Sequence, residues 1–128
     1  MKYLKHMWKD ANTGEFVTEV NFQGPKKHPL EEYSGLDVRL WLKDNDGLDV
    51  CISAVPDDTT VETITEGSKN AVIQMTGDEY NTIANLIQEM EVLEEARSQA
   101  EIDGEHVLAV EKHEARDAKY QEAKNLIP

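Results

Sequence analysis

Apolar and polar residues alternate along several short stretches before about Met75, the pattern of strands that turn one face to a core. One such stretch covers residues 16–22. We predict that it pairs with a strand at residues 3–8 through a turn at residues 10–14. Residues 24–29 contain two prolines and are predicted to form a loop where no strand ladder continues.

The clearest strand pair lies on either side of an Asp-Gly sequence at positions 46 and 47. A two-residue turn there would pair Leu42 with Cys51 and would place the two apolar rows on opposite faces. A three-residue loop at residues 45–47, with Gly47 left-handed in a bulge, brings both rows to one face. The pairs predicted by this loop are Leu42 with Val50, Leu40 with Ile52, and Val38 with Ala54. Cys51 then lies on the opposite face beside Trp41.

A β-branched stretch at residues 61–65 and a last strand at residues 71–75 bring the predicted sheet to four to six strands. Thr76 and Glu79 then have the spacing of a capping box, which predicts the start of a helix. The apolar residues that follow have a helical period: Tyr80, Ile83, Leu86, Ile87, Met90 and Leu93. The helix should run to about Ile102, where the Asp-Gly pair at 103 and 104 either breaks it into a helical hairpin or is tolerated within one long helix.

These elements predict an α+β fold in which an N-terminal antiparallel sheet with hairpins precedes a C-terminal helix or helical hairpin. A length of 128 residues suits a single domain, with a β-rich part at 1–76 and a helical part at 77–127. No apolar run is long enough to span a bilayer, and the residues after Met1 contain no apolar signal core. We expect a cytoplasmic location in the producing cell and no membrane contact.

The charge balance changes the expected partners. The 13 basic and 26 acidic side chains give a formal net charge of −13, which disfavours direct binding to nucleic acid. Two interpretations remain open: a solvated surface that keeps the protein in solution, or an acidic inhibitor or regulator of the nucleic-acid mimic type that acts on a basic partner protein.

The spacing of the residues argues against each candidate catalytic or metal site in the sequence. If Gly47 takes the sixth position of a calcium loop, Leu42 falls at the first ligand position and Ser53 at the twelfth, so the bidentate acid is missing. A phosphate-binding loop that ends at Lys69 would need a glycine where the chain has Thr63. The single cysteine, Cys51, cannot form an internal disulfide or a multi-thiol metal site. The remaining candidates are four histidines, which are scattered along the chain: His6, His28, His106 and His113. We predict no catalytic, metal-binding or cofactor-binding residue and a non-enzymatic protein.

A stripe of residues spaced by three and four follows one face of the first predicted helix, from Ile83 to Ala100. Its first three turns suit packing on the sheet, and the part beyond Glu94 outruns a sheet of ordinary strand length. That part should project, pack back on itself or meet another chain. We predict that residues 94–127 supply the contact surface for a protein partner or for self-association. The predicted contact residues are Leu93, Arg97, Ala100, Leu108, Ala115 and Tyr120.

The general layout, together with one junction, carries a resemblance to a known group of proteins. The junction leads from the last strand into a charged helix through Met75-Thr76-Gly77-Asp78-Glu79-Tyr80. This arrangement resembles small virion and assembly proteins of tailed bacteriophages. The resemblance implies a structural or assembly role, with the protein incorporated into a virion, and it transfers no functional residue.

Overall fold

In a computed structural model the chain forms an antiparallel sheet with two helices packed on one face. The structure describes residues 1–8, 12–16, 25–29, 38–58 and 69–128. The strands are β1 (Lys2–Trp8), β2 (Lys26–Pro29), β3 (Val38–Lys43), β4 (Asp49–Val55) and β5 (Lys69–Met75). The helices are α1 (Gly77–Ile102) and α2 (His106–Asn125). The described strands lie in the order β2-β3-β4-β1-β5, and the predicted α+β class is confirmed.

The hairpin between β3 and β4 has the predicted register. Leu42 is opposite Val50 and Leu40 is opposite Ile52, and the pairing ends at Arg39 with Ser53, one residue short of the predicted pair of Val38 with Ala54. The loop is closed by the Asp44 N–H, which donates to the Leu48 carbonyl at 3.0 Å. Gly47 has a φ of 79°, as the bulge requires. The prediction of a three-residue loop is therefore confirmed.

The neighbours of β1 differ from the prediction. β4 pairs with one edge of β1, and β5 pairs with the other. Both edges are occupied from Tyr3 to His6, so the predicted hairpin with residues 16–22 is wrong over that stretch; residues 17–22 lie outside the described part of the chain. Alternation fixes the face that each residue takes, but the choice of neighbouring strand depends on tertiary packing.

The segment at residues 24–29, which contains two prolines and is a predicted loop, instead contains a strand. Its last four residues form β2, where Lys26 lies opposite Trp41 and Pro29 lies opposite Val38. β2 is at one end of the described strand order. A proline is tolerated on such an edge, because its missing N–H does not interrupt a ladder with a further strand. The predicted β-branched stretch at 61–65 lies outside the described residues.

Helix α1 begins and ends at specific capping motifs. The Thr76 hydroxyl accepts the Glu79 N–H at 3.1 Å and the Glu79 carboxylate accepts the Thr76 N–H at 2.9 Å, which confirms the capping box. At the other end, the Glu105 N–H donates to the Ala100 carbonyl at 2.8 Å and the Gly104 N–H donates to the Glu101 carbonyl at 3.1 Å. This is a Schellman motif, and it resolves the open alternative in favour of a helical hairpin.

Replacing Gly104 with alanine should lower the free energy of unfolding by about 1–2 kcal/mol, because its φ of 75° is left-handed. No atom lies within 4 Å of a Cβ built at this position, so the cost comes from the backbone conformation alone. Urea denaturation would measure it. Gly104→Asn is the matched control, and its cost should be clearly smaller since asparagine tolerates this conformation. Equal costs for the two variants would contradict the explanation.

The core lies between one face of the sheet and the first half of α1. Its fully buried side chains are Leu40, Leu42, Val50, Ile52, Ile83 and Ile87. Strand β4 is buried on both faces along its whole length. Residues of α1 in this core end at Ile87, and α2 returns to place Ala123 there.

The outer half of the helical hairpin extends past the sheet. At the usual rise, the 26 residues of α1 span about 39 Å. The seven-residue strands span about 23 Å. Beyond the sheet the two helices pack on each other through small residues, since Ala100 and Ala109 are both buried. Of the predicted alternatives for this region, the chain packs back on itself.

Candidate functional site

The end of the helical hairpin exposes several apolar side chains. We call residues 98–111 the hairpin tip. Within it, Ile102 and Val107 are each 76% exposed, Val110 is 56% exposed and Leu108 is 38% exposed. Single exposed apolar residues are ordinary, but four within nine consecutive positions make this end of the hairpin a candidate contact surface.

The hairpin tip is also acidic, and no lysine or arginine within it balances its negative charge. It contains Glu101, Asp103, Glu105 and Glu111, and it contains no lysine or arginine. Basic residues occur immediately outside it, at Arg97 and Lys112. Apolar and acidic groups therefore share the same end of the molecule.

Helical spacing brings apolar and acidic side chains together on α2. Val107 and Val110 are three positions apart, and Glu111 and Glu114 follow them at a spacing of four. Residues separated by three or four positions are neighbours on a helix surface. All four are exposed, so this face of α2 presents two valines followed by two carboxylates.

We call the remaining parts of the two helices, before residue 98 and after residue 111, the hairpin stem. Ion pairs connect side chains along it and across it. Glu94 accepts hydrogen bonds from the Arg97 guanidinium, whose Nη1 also lies 2.9 Å from Glu101. Between the helices, the Arg116 Nε lies 3.7 Å from Glu94 and the Lys119 Nζ lies 3.0 Å from Glu89. Surface pairs of this kind contribute little each, but they place a basic side chain beside Glu89, Glu94 and Asp117.

The pKa of the Glu94 carboxyl is lowered, first by the hydrogen bond from Arg97 and further by the nearby charges of Arg97 and Arg116. The stabilisation linked to this shift is present above the unfolded pKa of about 4.3. It is lost as the pH falls through the lower folded value. These stem contacts therefore hold at neutral pH.

One side of the helical hairpin forms an open groove of about 620 Å³ that extends from the stem into the hairpin tip. Most of the residues that line it have charged or imidazole side chains: Glu94, Arg97, Glu101, His106, Ala109, Val110, His113, Glu114 and Arg116. Both arginines are engaged by carboxylates of the same groove. No group of three histidine, cysteine or acidic side chains within the described part of the chain is placed to hold a metal ion. The arginines of the groove are thus already paired with carboxylates of this chain.

Helix α2 is anchored to the sheet near its end, which fixes the base of the hairpin. The Tyr120 hydroxyl accepts the Lys43 N–H at 2.9 Å, and burial raises the pKa of that phenol. Gln121 donates to the Asn45 side chain at 2.8 Å, and Lys5 donates to the carbonyl of Pro128 at 2.6 Å. The hairpin tip is thus carried on a stem whose base is bonded to three parts of the fold.

The six residues predicted to contact a partner do not form one surface. Leu108 is exposed at the hairpin tip, whereas Leu93, Arg97 and Ala115 are half-buried along the stem. Ala100 is 3% exposed in the contact between the helices. Tyr120 packs against the core. The prediction that these residues bind a partner remains a prediction, but the last two have their surfaces engaged within the chain.

The most exposed large apolar residues of the hairpin tip lie within the predicted contact segment, but the sequence analysis does not single them out. Ile102, Val107 and Val110 were missed because their exposure depends on the turn at Gly104 and on the packing of α2. The signal available in the sequence was the presence of four large apolar residues within nine positions of an acidic stretch.

A buried polar cluster on the opposite face of the sheet was also missed. The Nε2 atom of His6 lies 3.1 Å from the Ser53 hydroxyl, and the Cys51 sulfur lies 3.8 Å from the same oxygen. All three side chains are buried, and Cys51 lies opposite Trp41 as predicted. The Ser53 hydroxyl is thus the shared contact of the other two polar side chains.

None of the described helices is both long enough and apolar enough to cross a membrane. Comparisons with protein-family models, with curated proteins and with solved structures found no match to this chain.

Proposed function

We propose that this chain is a non-enzymatic protein–protein interaction module that contacts its partner through the hairpin tip. The observation that carries the proposal is the exposure of Ile102, Val107 and Val110 at the end of an anchored hairpin. Leaving this apolar surface in water is unfavourable, and a partner that covers it gains about 25 cal/mol for each Å² removed from water.

The broader role that we propose is structural or assembly-related, of the kind that small proteins of tailed-phage virions perform. This part rests on the resemblance in layout and on the strand-to-helix junction at residues 75–80. A projecting hairpin suits such a role because it can reach a neighbouring subunit while the sheet keeps its own core.

The alternative of a nucleic-acid mimic receives less support. A mimic needs carboxylates spaced like phosphates along an extended surface. Along the helical hairpin, Glu94, Glu89 and Glu101 are each paired with a basic side chain of the same hairpin. This mixture of charges interrupts any regular anionic array.

Replacing the apolar residues of the hairpin tip with glutamine should abolish partner contact without unfolding the protein. The variant carries Ile102→Gln, Val107→Gln and Val110→Gln, and it should change the free energy of unfolding by no more than about 1 kcal/mol because all three side chains are exposed. A photo-crosslinking residue placed at Leu108 would report contact in extracts of the native source. We expect a discrete adduct from the otherwise unchanged chain and none from the variant.

The matched control carries Ile73→Gln and Val92→Gln, which lie at exposed positions outside the hairpin tip. It should retain the adduct. Loss of the adduct in the control, or its persistence in the tip variant, would refute the hairpin tip as the contact surface.

A further inference from the structure

We infer that the partner surface covering the hairpin tip is a protein surface with an apolar centre bordered by lysine or arginine side chains. The inference rests on the proposed function and specifies its partner. It follows from the position along the hairpin beyond which acidic side chains have no ion pair with a lysine or arginine of this chain.

The ion pairs that the chain makes with its own lysine and arginine side chains end at Glu101, the first acidic residue of the hairpin tip. In the stem, arginine and lysine side chains lie within 4 Å of Glu89 and Glu94 on α1 and of Asp117 on α2. Arg97 reaches as far as Glu101, and the next basic residue along the chain is Lys112. No ion pair among the described residues involves Asp103, Glu105 or Glu111.

The position of these acids relative to the apolar patch determines the kind of partner. Asp103 and Glu105 lie in the turn between Ile102 and Val107, and Glu111 is four positions after Val107 on the same helix face. A partner that buries the valines must bring its own groups close to these carboxylates. Groups of opposite charge at the rim speed encounter and fix orientation, whereas like charges there are costly.

The negative charge around the apolar patch also disfavours other occupants. A second copy of this chain would bring its own net charge of −13 and another acidic hairpin tip against the first. Nucleic acid and anionic membrane surfaces are repelled for the same reason. A basic protein surface with an apolar centre satisfies both the patch and its rim.

Three synthetic amphipathic helical peptides test the inference. They share one leucine stripe and carry lysine, glutamine or glutamate at every polar position. Fluorescence anisotropy with the full chain should show binding of the lysine peptide. The glutamine peptide should bind at least about fivefold more weakly and the glutamate peptide should not bind. The affinity of the lysine peptide should fall when the salt concentration rises from about 0.05 M to about 0.5 M.

Two charge variants separate a local effect from net charge. The tip-charge variant carries Asp103→Asn, Glu105→Gln and Glu111→Gln; the remote variant carries Glu15→Gln, Asp58→Asn and Glu122→Gln, all at exposed positions. Each removes three negative charges. The tip-charge variant should bind the lysine peptide at least about fivefold more weakly, and the remote variant should stay within about twofold. Equal weakening in both would overturn the inference, because the peptide would then sense only the net charge.

The remaining outcomes distinguish this inference from the proposed function. If the glutamine peptide binds as tightly as the lysine peptide and the triple-glutamine variant of Ile102, Val107 and Val110 loses both, the hairpin tip is a contact surface but the basic partner is wrong. If that variant keeps full affinity for the lysine peptide, the apolar patch does not participate and the inference fails. If the unchanged chain sediments as a dimer and the variant as a monomer, the occupant is a second copy, which also overturns it.

Discussion

Replacing Leu40 or Ile52 with alanine should lower the free energy of unfolding by about 2–5 kcal/mol. Both side chains are fully buried and lie directly opposite each other on the face of the sheet that α1 covers. Each replacement removes apolar surface from the core and leaves a cavity that rigid neighbouring strands cannot close. Urea denaturation followed by circular dichroism would measure the change.

A control and a double variant make this test specific to the register. Ile73→Ala removes the same group from a strand position that is 47% exposed, and it should cost about 1 kcal/mol or less. The double variant of Leu40 and Ile52 should deviate from the sum of the single costs by at least about 0.5 kcal/mol, because contacting residues share one cavity. Exact additivity would mean that the two side chains do not touch.

The parts of the fold that the sequence predicts are those specified by short-range chemistry. The capping box at Thr76 and Glu79 needs only a spacing of three. The register of Leu42 with Val50 follows from the length of one loop and the requirement that two apolar rows share a face. In both cases the interacting residues lie within a few positions of the motif that specifies them.

The parts that the sequence does not predict depend on contacts between distant segments. β1 has β4 and β5 as neighbours, although the segment at 16–22 is nearer in sequence and has a suitable alternation. The strand at 26–29 forms in spite of Pro29, since its position at one end of the strand order removes the usual cost. Neither outcome is encoded in a local pattern.

In the candidate site, too, local patterns predict some features and contacts between distant segments determine the others. The sequence predicts a contact surface within 94–127 because the helix had to outrun the sheet, and of the residues it names Leu108 is exposed at the hairpin tip. Apolar residues spaced by three and four define one face of a helix. Their spacing does not determine whether that face contacts a partner or the other helix of a hairpin. Ala100 meets the other arm, because small side chains let the two helices approach closely. The exposure of Val107 follows only once Gly104 has reversed the chain.

Ile87→Ala should lower the free energy of unfolding by about 2–5 kcal/mol, whereas Val92→Ala, five residues further along the same helix, should change it by no more than about 0.5 kcal/mol. Ile87 is fully buried in the core and Val92 is 60% exposed. Residues of α1 in the core end at Ile87, so the division between the part that holds the sheet and the part that projects lies between these two positions.

Urea denaturation of both variants would measure this difference, and helix propensity cannot produce it because alanine is the better helix former in each case. A cost for Val92→Ala close to that for Ile87→Ala would show that the outer half of α1 is packed as firmly as the inner half. The hairpin would then not project from the fold. The expected contrast instead leaves the outer half available to a partner, with the inner half holding its direction relative to the sheet.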